Sequence, residues 1–433
     1  MAEQAGAAQA AGGRLGSVPT RATLLAVSSL TVMAGAAIAP SLPGLREHYE
    51  GVANADLLVR LVLTLPGLLI ALCAPLAGWM VDRFGRRPLL VGSVALYGLA
   101  GGSGLVVDSI GAMLAGRMLL GIAVAGVMTG ATTLATDYYA GTERARFLSW
   151  QAAAMAGGGA VFLLGGGVLA ELHWRLPFLT YLAAWAFLPL VVAYLPEPAR
   201  ASPAGNAPGA GDPPVPSSTR LLVLLYALGF TGMAAYYVVP VQVPFLLREL
   251  AGSTPSASGA ALAAATLVGA ASSLAYGRVR TRLGAVATMS LCLGLIGAGF
   301  ALVFAARGYG TALAALAVCG LGGGLLLPNL NVWLAAEVPP RLRGRALGGL
   351  TAAIFMGQFA SPLLTQPVAT ALGGIGELFG VTGALLLAVA AGLALGRRRI
   401  ARFTGCLSRV PGAPGRGARR ALRPLPAGEI PGG

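Results

Sequence analysis

The stretch Gly78–Leu90 reads GWMVDRFGRRPLL, and it places one Asp and three Arg between two almost wholly apolar runs. Such runs recur along the whole chain of 433 residues, of which 56% are hydrophobic and only 10% charged. A soluble protein of this length carries far more charge. Each run is long enough to cross a hydrocarbon core of roughly 30 Å, since a helix rises about 1.5 Å per residue. The sequence therefore predicts an all-α protein that spans the lipid bilayer many times.

Twelve of these runs have the length of a transmembrane helix. Pro and Gly inside several of them do not oppose a helix, because neighbouring helices satisfy the backbone groups that these residues free. The predicted helices are 22–45, 57–81, 88–107, 110–136, 147–170, 176–195, 221–247, 259–277, 285–306, 311–338, 346–370 and 376–395.

A linker rich in Pro, Gly and Ser divides the runs into two sets of six. It has no apolar periodicity, which is typical of a flexible connection. The predicted organisation is a cytoplasmic tail at 1–21, a six-helix bundle at 22–195, a cytoplasmic linker at 196–220, a second six-helix bundle at 221–395 and a basic, disordered tail at 396–433.

The two sets resemble each other when one is aligned with the other at an offset of 199 residues. This single offset aligns two distant parts of each half. Two similar halves joined by a linker are typical of transporters that bind substrate near the membrane midplane, between the halves. The aligned pairs are Gly78 with Gly277, Arg83 with Arg282, Gly85 with Gly284, Gly121 with Gly320, Arg144 with Arg343 and Arg146 with Arg345.

The net charge of +15 is distributed unevenly, and every basic residue is Arg. If both termini and the even-numbered connections lie on one side, that side holds 24 of the 30 Arg and the other side holds four. This is the positive-inside bias, which predicts cytoplasmic termini for a multi-pass protein of the cell membrane. It explains the excess charge without a nucleic-acid partner.

Residues 82–87 of the opening stretch form a short turn between the second and third runs. Gly85 suits a tight reversal with positive φ, and Arg86 and Arg87 hold the turn on the cytoplasmic side. Gly78 suits the close approach of another helix. Topology does not explain Asp82, because it adds a negative charge where positive charge is favoured. A helix N-terminus or an Arg would stabilise that carboxylate.

These residues resemble the signature between helices 2 and 3 of the major facilitator superfamily. The resemblance covers the whole chain and is closest to the twelve-helix drug/proton antiporter branch. It implies a secondary active transporter of a small molecule that works by alternating access. The segments that carry it are GWMVDRFGRR (78–87), its weaker copy GRVRTRLG (277–284), APSLP (39–43), GRMLLG (116–121), HWRLPF (173–178) and LPNLNVWLAAEVPPRLRGRALG (327–348).

The resemblance also implies a cytoplasmic gate. Asp82 is expected to contact the N-terminal end of the eleventh helix, and Arg86 is expected to pair with Asp137. The predicted gate residues are therefore Gly78, Asp82, Arg83, Gly85, Arg86, Arg87 and Asp137. The alternative is that these residues serve only topology and turn geometry.

One segment departs from the antiporter pattern. That branch usually has a Gly-Pro pair shortly before a Gly-Gly in helix 5, whereas 157–171 (GGGAVFLLGGGVLAE) has the glycines without Pro. The sequence predicts proton-coupled efflux of an amphipathic, drug-like compound or metabolite. Proton-coupled uptake of a small metabolite is the alternative.

Charged residues inside the predicted helices are candidates for substrate binding or proton coupling. Arg117 lies roughly two turns into the fourth run, where a charge is costly unless it faces a cavity or a partner. Its alternative role is a structural ion pair. Arg60 has Asp56 four residues before it, so the two side chains can pair on one helix face. The alternative for Arg60 is a side chain that extends to the outer interface.

Uncharged polar residues on three later helices complete the predicted site. Each is equally suited to bind a ligand or a neighbouring helix. With no acid deep in any run, they indicate a mostly apolar cavity for a neutral or weakly charged amphipathic substrate. They are Tyr236, Tyr237, Gln242, Asn329, Asn331 and Gln358.

Other classes of membrane protein fit the sequence less well. An enzyme needs catalytic groups, and the only two His, His48 and His173, lie in outer loops without metal-ligand spacing or a nucleophile motif. A channel lacks the duplicated halves. The four Cys are not spaced for a disulfide or a metal cluster. We therefore expect no cofactor and no metal, with protons and a small molecule as partners of a functional monomer.

Overall fold

The computed structural model describes residues 17–198, 219–339 and 342–403, with side chains as far as Arg397. Within these ranges the chain is all-helical and contains no strand. Twelve helices are long and apolar enough to span a membrane, which confirms the predicted fold class. They are α1 (Val18–His48), α2 (Ala55–Phe84), α3 (Arg86–Leu105), α4 (Ile110–Tyr138), α5 (Gly141–Leu172), α6 (Leu176–Tyr194), α7 (Thr219–Ala251), α8 (Pro255–Leu283), α9 (Ala285–Phe304), α10 (Tyr309–Glu337), α11 (Arg343–Leu372) and α12 (Ile375–Phe403).

Several helices are longer than the apolar runs that predicted them. Helix α5 begins at Gly141 instead of residue 147, and α8 covers Pro255–Leu283 instead of 259–277. The added turns carry Arg and other polar residues, which lower the apolar signal without disfavouring a helix. Most of the predicted linker, at 199–218, and most of the two predicted tails, at 1–16 and 404–433, lie outside the described residues.

Helices α1 and α7 are both interrupted at equivalent points. In α1 the α-helix ends at Ala36 and a 3₁₀ turn begins at Ala39, directly before Pro40. In α7 the first segment ends at Tyr236 and the second begins at Val238, close to Pro240. A Pro inside a helix removes a backbone hydrogen bond and disturbs the preceding turn.

The offset of 199 residues also relates backbone conformation and packing. Gly85 has φ 104° and ψ 167°, and Gly284 has φ 78° and ψ 173°. Both glycines end one helix and begin the next, in a region that residues with a side chain rarely adopt. Gly121 packs against the backbone of Pro66, and Gly320 packs against the backbone of Ala265. Each half therefore repeats the same turn and the same close helix crossing.

Close contacts between the first half of the bundle, α1–α6, and the second half, α7–α12, are unevenly distributed along the helices. We call the end where α1 begins and the turn 82–87 lies the terminal side, and the opposite end the distal side. Near the distal side, a Cβ added to Gly167 would lie 2.8 Å from the carbonyl of Pro255, and midway along α2 and α11 a Cβ added to Gly67 would lie 3.0 Å from that of Phe355.

The terminal ends of the same helices are not packed against each other at their glycines. A Cβ added to Gly78, Gly277, Gly344 or Gly348 would meet no atom within 4 Å. The close approach predicted at Gly78 is therefore not made in this conformation. The close glycine contacts between the halves therefore lie near the distal side and midway along the helices, and not at these four terminal positions.

Candidate functional site

The turn at 85–87 is built around a carboxylate that the sequence did not suggest. Glu197, three residues after α6 ends, accepts hydrogen bonds from the backbone N–H of Arg86 at 2.8 Å and of Arg87 at 2.6 Å. These amides begin α3, where an acceptor satisfies N–H groups that lack helical partners. A Cβ on Gly85 would lie 2.7 Å from the Glu197 carboxylate. Glycine is thus required both by the positive φ and by the docked Glu197.

The side chains of this turn bind two other helices of the first half. Arg86 Nε donates to Asp137 Oδ2 at the end of α4, at 2.9 Å. The Arg87 guanidinium donates to the carbonyl of Val192 in α6. The structure therefore contains the Arg86–Asp137 contact that the resemblance implied, and it fastens the α2–α3 turn to α4 and α6.

Asp82 stands apart from this network. Its side chain is exposed, and among the described residues it makes no hydrogen bond and no ion pair. Arg83, beside it, is also exposed. The expected contact of Asp82 with the start of α11 is not made in this conformation, so its role as a gate residue stays a prediction.

The distal side is held by a buried cation of the first half that contacts the second half. Arg60 in α2 is only 3% exposed, and its Nε donates to Oε1 of Gln242 in α7 at 2.9 Å. Its guanidinium lies 4.2 Å from the ring centre of Phe245, also in α7, which is cation–π distance. Arg60 therefore bridges the two halves through a hydrogen bond and an aromatic contact.

Asp56 lies between two guanidinium groups at this bridge. It accepts hydrogen bonds from Arg46 at 2.8 and 3.2 Å, and its Oδ1 lies 3.5 Å from Arg60 Nη1. A second ion pair, between Glu47 in α1 and Arg248 in α7, joins the halves nearby. Sequence reasoning named Asp56, Arg60 and Gln242 but missed Arg46, Glu47, Phe245 and Arg248, because contacts between distant helices leave no local pattern.

Arg117 lies inside the first half and not at the contact between halves. It is 1% exposed, and its guanidinium lies 4.6 Å from the ring centre of Phe178 and 4.8 Å from that of Tyr181 in α6. Its two Nη atoms have no hydrogen-bond partner among the described residues. Two aromatic faces thus stabilise the charge where we expected an acid or a cavity. Its role in substrate binding or proton coupling stays a prediction.

Three of the uncharged candidates lie where the halves meet. Besides Gln242, these are Tyr237, whose hydroxyl would lie 2.8 Å from a Cβ on Gly35 in α1, and Gln358, which packs on Gly67 in α2. Both contacts depend on a glycine in the opposite half, which lets α1 and α2 approach α7 and α11.

The other uncharged candidates are placed differently. Asn329 is fully buried and its Nδ2 donates to the carbonyl of Ala285 at the start of α9, at 3.1 Å. Tyr236 packs its ring on Gly323 in α10, within the second half. Asn331 is exposed and donates to Leu327 of its own helix. Helix-to-helix hydrogen bonding, the alternative that the sequence left open, describes Asn329 best.

The distal connections of the first half are tied to each other outside the spans. Tyr49 donates a hydrogen bond to the carbonyl of Asp108 at 2.9 Å, and Asp108 forms an ion pair with Arg175. Burial raises the pKa of the Tyr49 phenol, which Arg175 opposes and Asp108 reinforces. The phenol therefore stays a neutral donor at physiological pH.

The described residues offer no obvious metal centre. Among them, no group of three His, Cys, Asp or Glu side chains is arranged to hold a metal ion. Cys292 and Cys319 are buried and Cys73 is half-buried, all three as free thiols. The candidate functional groups among the described residues are therefore the polar side chains that join helices.

Comparison with known proteins identifies the chain. A sequence model of the Major Facilitator Superfamily matches it twice, over residues 24–254 and 224–405. The chain belongs to the Major Facilitator Superfamily. It is therefore a multi-pass membrane transporter of small molecules and not an enzyme.

Two characterised relatives are similar over most of their length. The chain is 25% identical to a 3-(3-hydroxy-phenyl)propionate transporter of Escherichia coli (strain K12) over 342 residues, which cover 77% of this chain and 82% of the relative. It is 26% identical to the class C tetracycline resistance protein of Escherichia coli over 353 residues, covering 76% and 85%.

A solved structure shares the fold at lower identity. It is a bacterial homologue of the human lysosomal transporter Spinster in an inward-facing and occupied conformation, with a TM-score of 0.72 and 18% identity, covering 92% of this chain and all of that one. This match confirms the arrangement of the twelve helices.

Proposed function

We propose that this transporter exports a small amphipathic organic molecule in exchange for protons, by alternating access between its two halves. The observation that carries the proposal is the uneven contact between the halves, which are joined at the distal Arg60–Gln242 bridge and make no close contact at the four terminal glycines. Alternating access needs two such states, related by rocking one half against the other around a central site.

The direction of opening follows from the distribution of Arg. The positive-inside bias supports a cytoplasmic terminal side in the cell membrane. In that orientation the present conformation is open to the cytoplasm, and the distal bridge is the closed external gate. The gate residues proposed for the cytoplasmic side are Gly78, Asp82, Arg83, Gly85, Arg86, Arg87 and Asp137, and they close in the opposite state.

The substrate site lies between the halves in this proposal. Tyr237, Gln242 and Gln358 support it, because all three occupy the contact between α1–α2 and α7–α11. Asp56 is the proposed proton carrier, since the described spans hold no buried acid and Asp56 is half-exposed beside two Arg. One chain contains both halves and the complete site, which supports a functional monomer.

Export is favoured over uptake by the similarity to the tetracycline resistance protein. Uptake is the second candidate, and the similarity to the hydroxyphenylpropionate transporter supports it. Everted membrane vesicles separate the two, because their cytoplasmic face points outward. An acidic lumen should drive accumulation of an exported compound from a panel of amphipathic substrates.

The same vesicles provide the control and the refutation. Collapsing the pH gradient should abolish accumulation of that compound. Accumulation that requires the opposite gradient supports proton-coupled uptake instead. Flux that never saturates with concentration contradicts a carrier of either direction.

A further inference from the structure

The distal bridge combines a buried cation with a neutral hydrogen-bond acceptor. We propose that Arg60 is a recognition point for a carboxylate, so that substrates or effectors of this transporter include organic anions that displace the Gln242 amide. The inference rests on the proposed function, because it assigns a ligand class to the contact that closes the distal side.

Charge balance at the bridge supports an anion. Asp56 provides one negative charge to two guanidinium groups, and its shortest contacts, at 2.8 and 3.2 Å, are with Arg46. Its Oδ1 lies 3.5 Å from Arg60, and the Asp56 side chain is about half exposed, with 51% of its surface accessible. The remaining acid of this part of α7, Glu249, lies beyond ion-pair distance of Arg60 among the described residues. Arg60 Nη1 also donates to the backbone carbonyl of Asp56 at 2.7 Å, so the guanidinium is hydrogen-bonded, but the one carboxylate that balances its charge is shared with Arg46.

The partner of Arg60 leaves room for better binding. Gln242 is fully buried, and while its Oε1 accepts from Arg60, its Nε2 has no hydrogen-bond partner among the described residues. An unsatisfied buried donor is unfavourable. A carboxylate at Arg60 would accept charge-assisted bonds that are stronger than those an amide acceptor provides, and it would release Gln242 from a position in which its Nε2 is unpaired. Phe245, stacked on the guanidinium, offers an apolar wall for the body of such a ligand.

Binding of a carboxylate to Arg60 is coupled to opening of the distal side. In the present conformation Gln242 occupies the Arg60 position that a carboxylate would take, so the ligand competes with the contact between the halves. A ligand that binds one state better than the other shifts the equilibrium toward that state. A carboxylate at Arg60 therefore favours the conformation in which the distal side is open.

The experiment measures distal opening directly in the full-length protein. Cys73, Cys292, Cys319 and Cys406 are replaced by Ala, and spin labels are attached at V52C and A251C, which are exposed sites in the first and second halves. Distance distributions in lipid nanodiscs are compared with potassium benzoate, benzamide or potassium chloride at matched concentration. Benzoate and benzamide share the ring and differ in charge.

We expect benzoate to raise the ratio of long to short distances by about fivefold or more, the lower range of typical ligand coupling. Benzamide and chloride should leave the ratio unchanged. The variant Gln242→Glu places a carboxylate of the protein itself on Arg60, so it should remain closed and lose the benzoate response. Arg307→Gln removes an exposed distal Arg away from the bridge and should keep the response.

Three results would overturn the inference. They are an unchanged distribution with benzoate in the parent protein, an equal response to benzamide or chloride, and a full benzoate response in Gln242→Glu. Gradient-driven transport by the same protein keeps this outcome separate from the proposed function. If a neutral compound is transported while benzoate has no effect on the distances, alternating access stands and the carboxylate site is refuted.

Discussion

Replacing Asp82 by Asn tests whether the signature turn gates the terminal side. Asn keeps the size and hydrogen-bonding capacity of Asp but removes its charge. Asp82 is exposed and makes no contact in the present conformation among the described residues, so the change should alter the free energy of this state very little. If Asp82 acts as a latch, its whole contribution belongs to the opposite state, in which the terminal side is closed.

The size of the effect follows from that one-sided contribution. A carboxylate at a helix N-terminus, joined to an Arg network, is worth roughly 1–3 kcal/mol. Losing it from one state alone changes the ratio of the two states by about 5–150-fold. Asp82→Asn should therefore accumulate in the terminally open conformation. Substrate affinity within each state should not change, because the proposed site between the halves lies far from the turn.

Labelling of a terminal cysteine measures the accumulation. In a cysteine-free background, G348C lies in α11, where an added Cβ would meet no atom within 4 Å, so it should react with a membrane-impermeant maleimide only when the terminal side is open. Asp82→Asn should raise the labelled fraction and slow turnover. Asp137→Asn is the contrasting variant, because its 2.9 Å contact with Arg86 is present in the open state. Wild-type labelling and turnover in Asp82→Asn would refute the latch and leave Asp82 with a role in the turn alone.

Three further predictions concern other parts of the chain. Glu197→Gln should weaken two charge-assisted bonds to the α3 amides and lower the free energy of unfolding by about 1 kcal/mol, measured by thermal unfolding in detergent. Glu171→Gln, which changes an exposed acid without such bonds, should leave stability unchanged. Equal melting curves for the two variants would contradict the cap. Arg117→Ala should abolish transport with normal membrane insertion. Arg117→Lys should also be impaired, because Lys lacks the planar group that packs between two rings. Normal transport by the Ala variant would leave Arg117 with a packing role alone. A reporter fused after Arg397 should be cytoplasmic and one inserted at 49–54 external, and an external reporter after Arg397 would refute the proposed orientation.

The helices and the turn were predictable because their signals are local. Apolar run length predicted twelve spans, and the positive φ of Gly85 followed from the need to reverse the chain between two helices. The Arg86–Asp137 contact came from resemblance alone, since nothing in the spacing of 51 residues indicates it.

The distal bridge could be predicted only in part. Asp56 and Arg60 are four residues apart on one helix, which suggested a local pair, but the dominant partner of Asp56 is Arg46 in another helix. Glu197 was missed because it looked like the first acid of a polar linker. Arg117 was expected to need an acid or a cavity, and aromatic rings replaced them. In each case the deciding contact joins residues on different helices.

The internal repeat separates what the fold requires from what function requires. Gly85 and Gly284 share the same turn conformation, and Gly121 and Gly320 share the same close crossing, so both halves need these glycines to fold. Some charges, unlike those of Arg83, Arg144 and Arg146, are not repeated. At the offset of 199 residues, the positions of Arg60, Asp82, Arg86 and Glu197 are occupied in the second half by Gly259, Thr281, Ala285 and Gly396.

Arg86 and Glu197 fasten the turn of the first half, but Arg60 and Asp82 do not, and the second half forms its turn and its helices without counterparts of either. Topology does not explain Asp82 either, because it is an acid on the Arg-rich side of the chain. Charges confined to one half can favour one arrangement of the halves over the other, because each meets a different surface in the two states. This asymmetry is the strongest reason to assign Arg60 and Asp82 to the gates instead of to the fold.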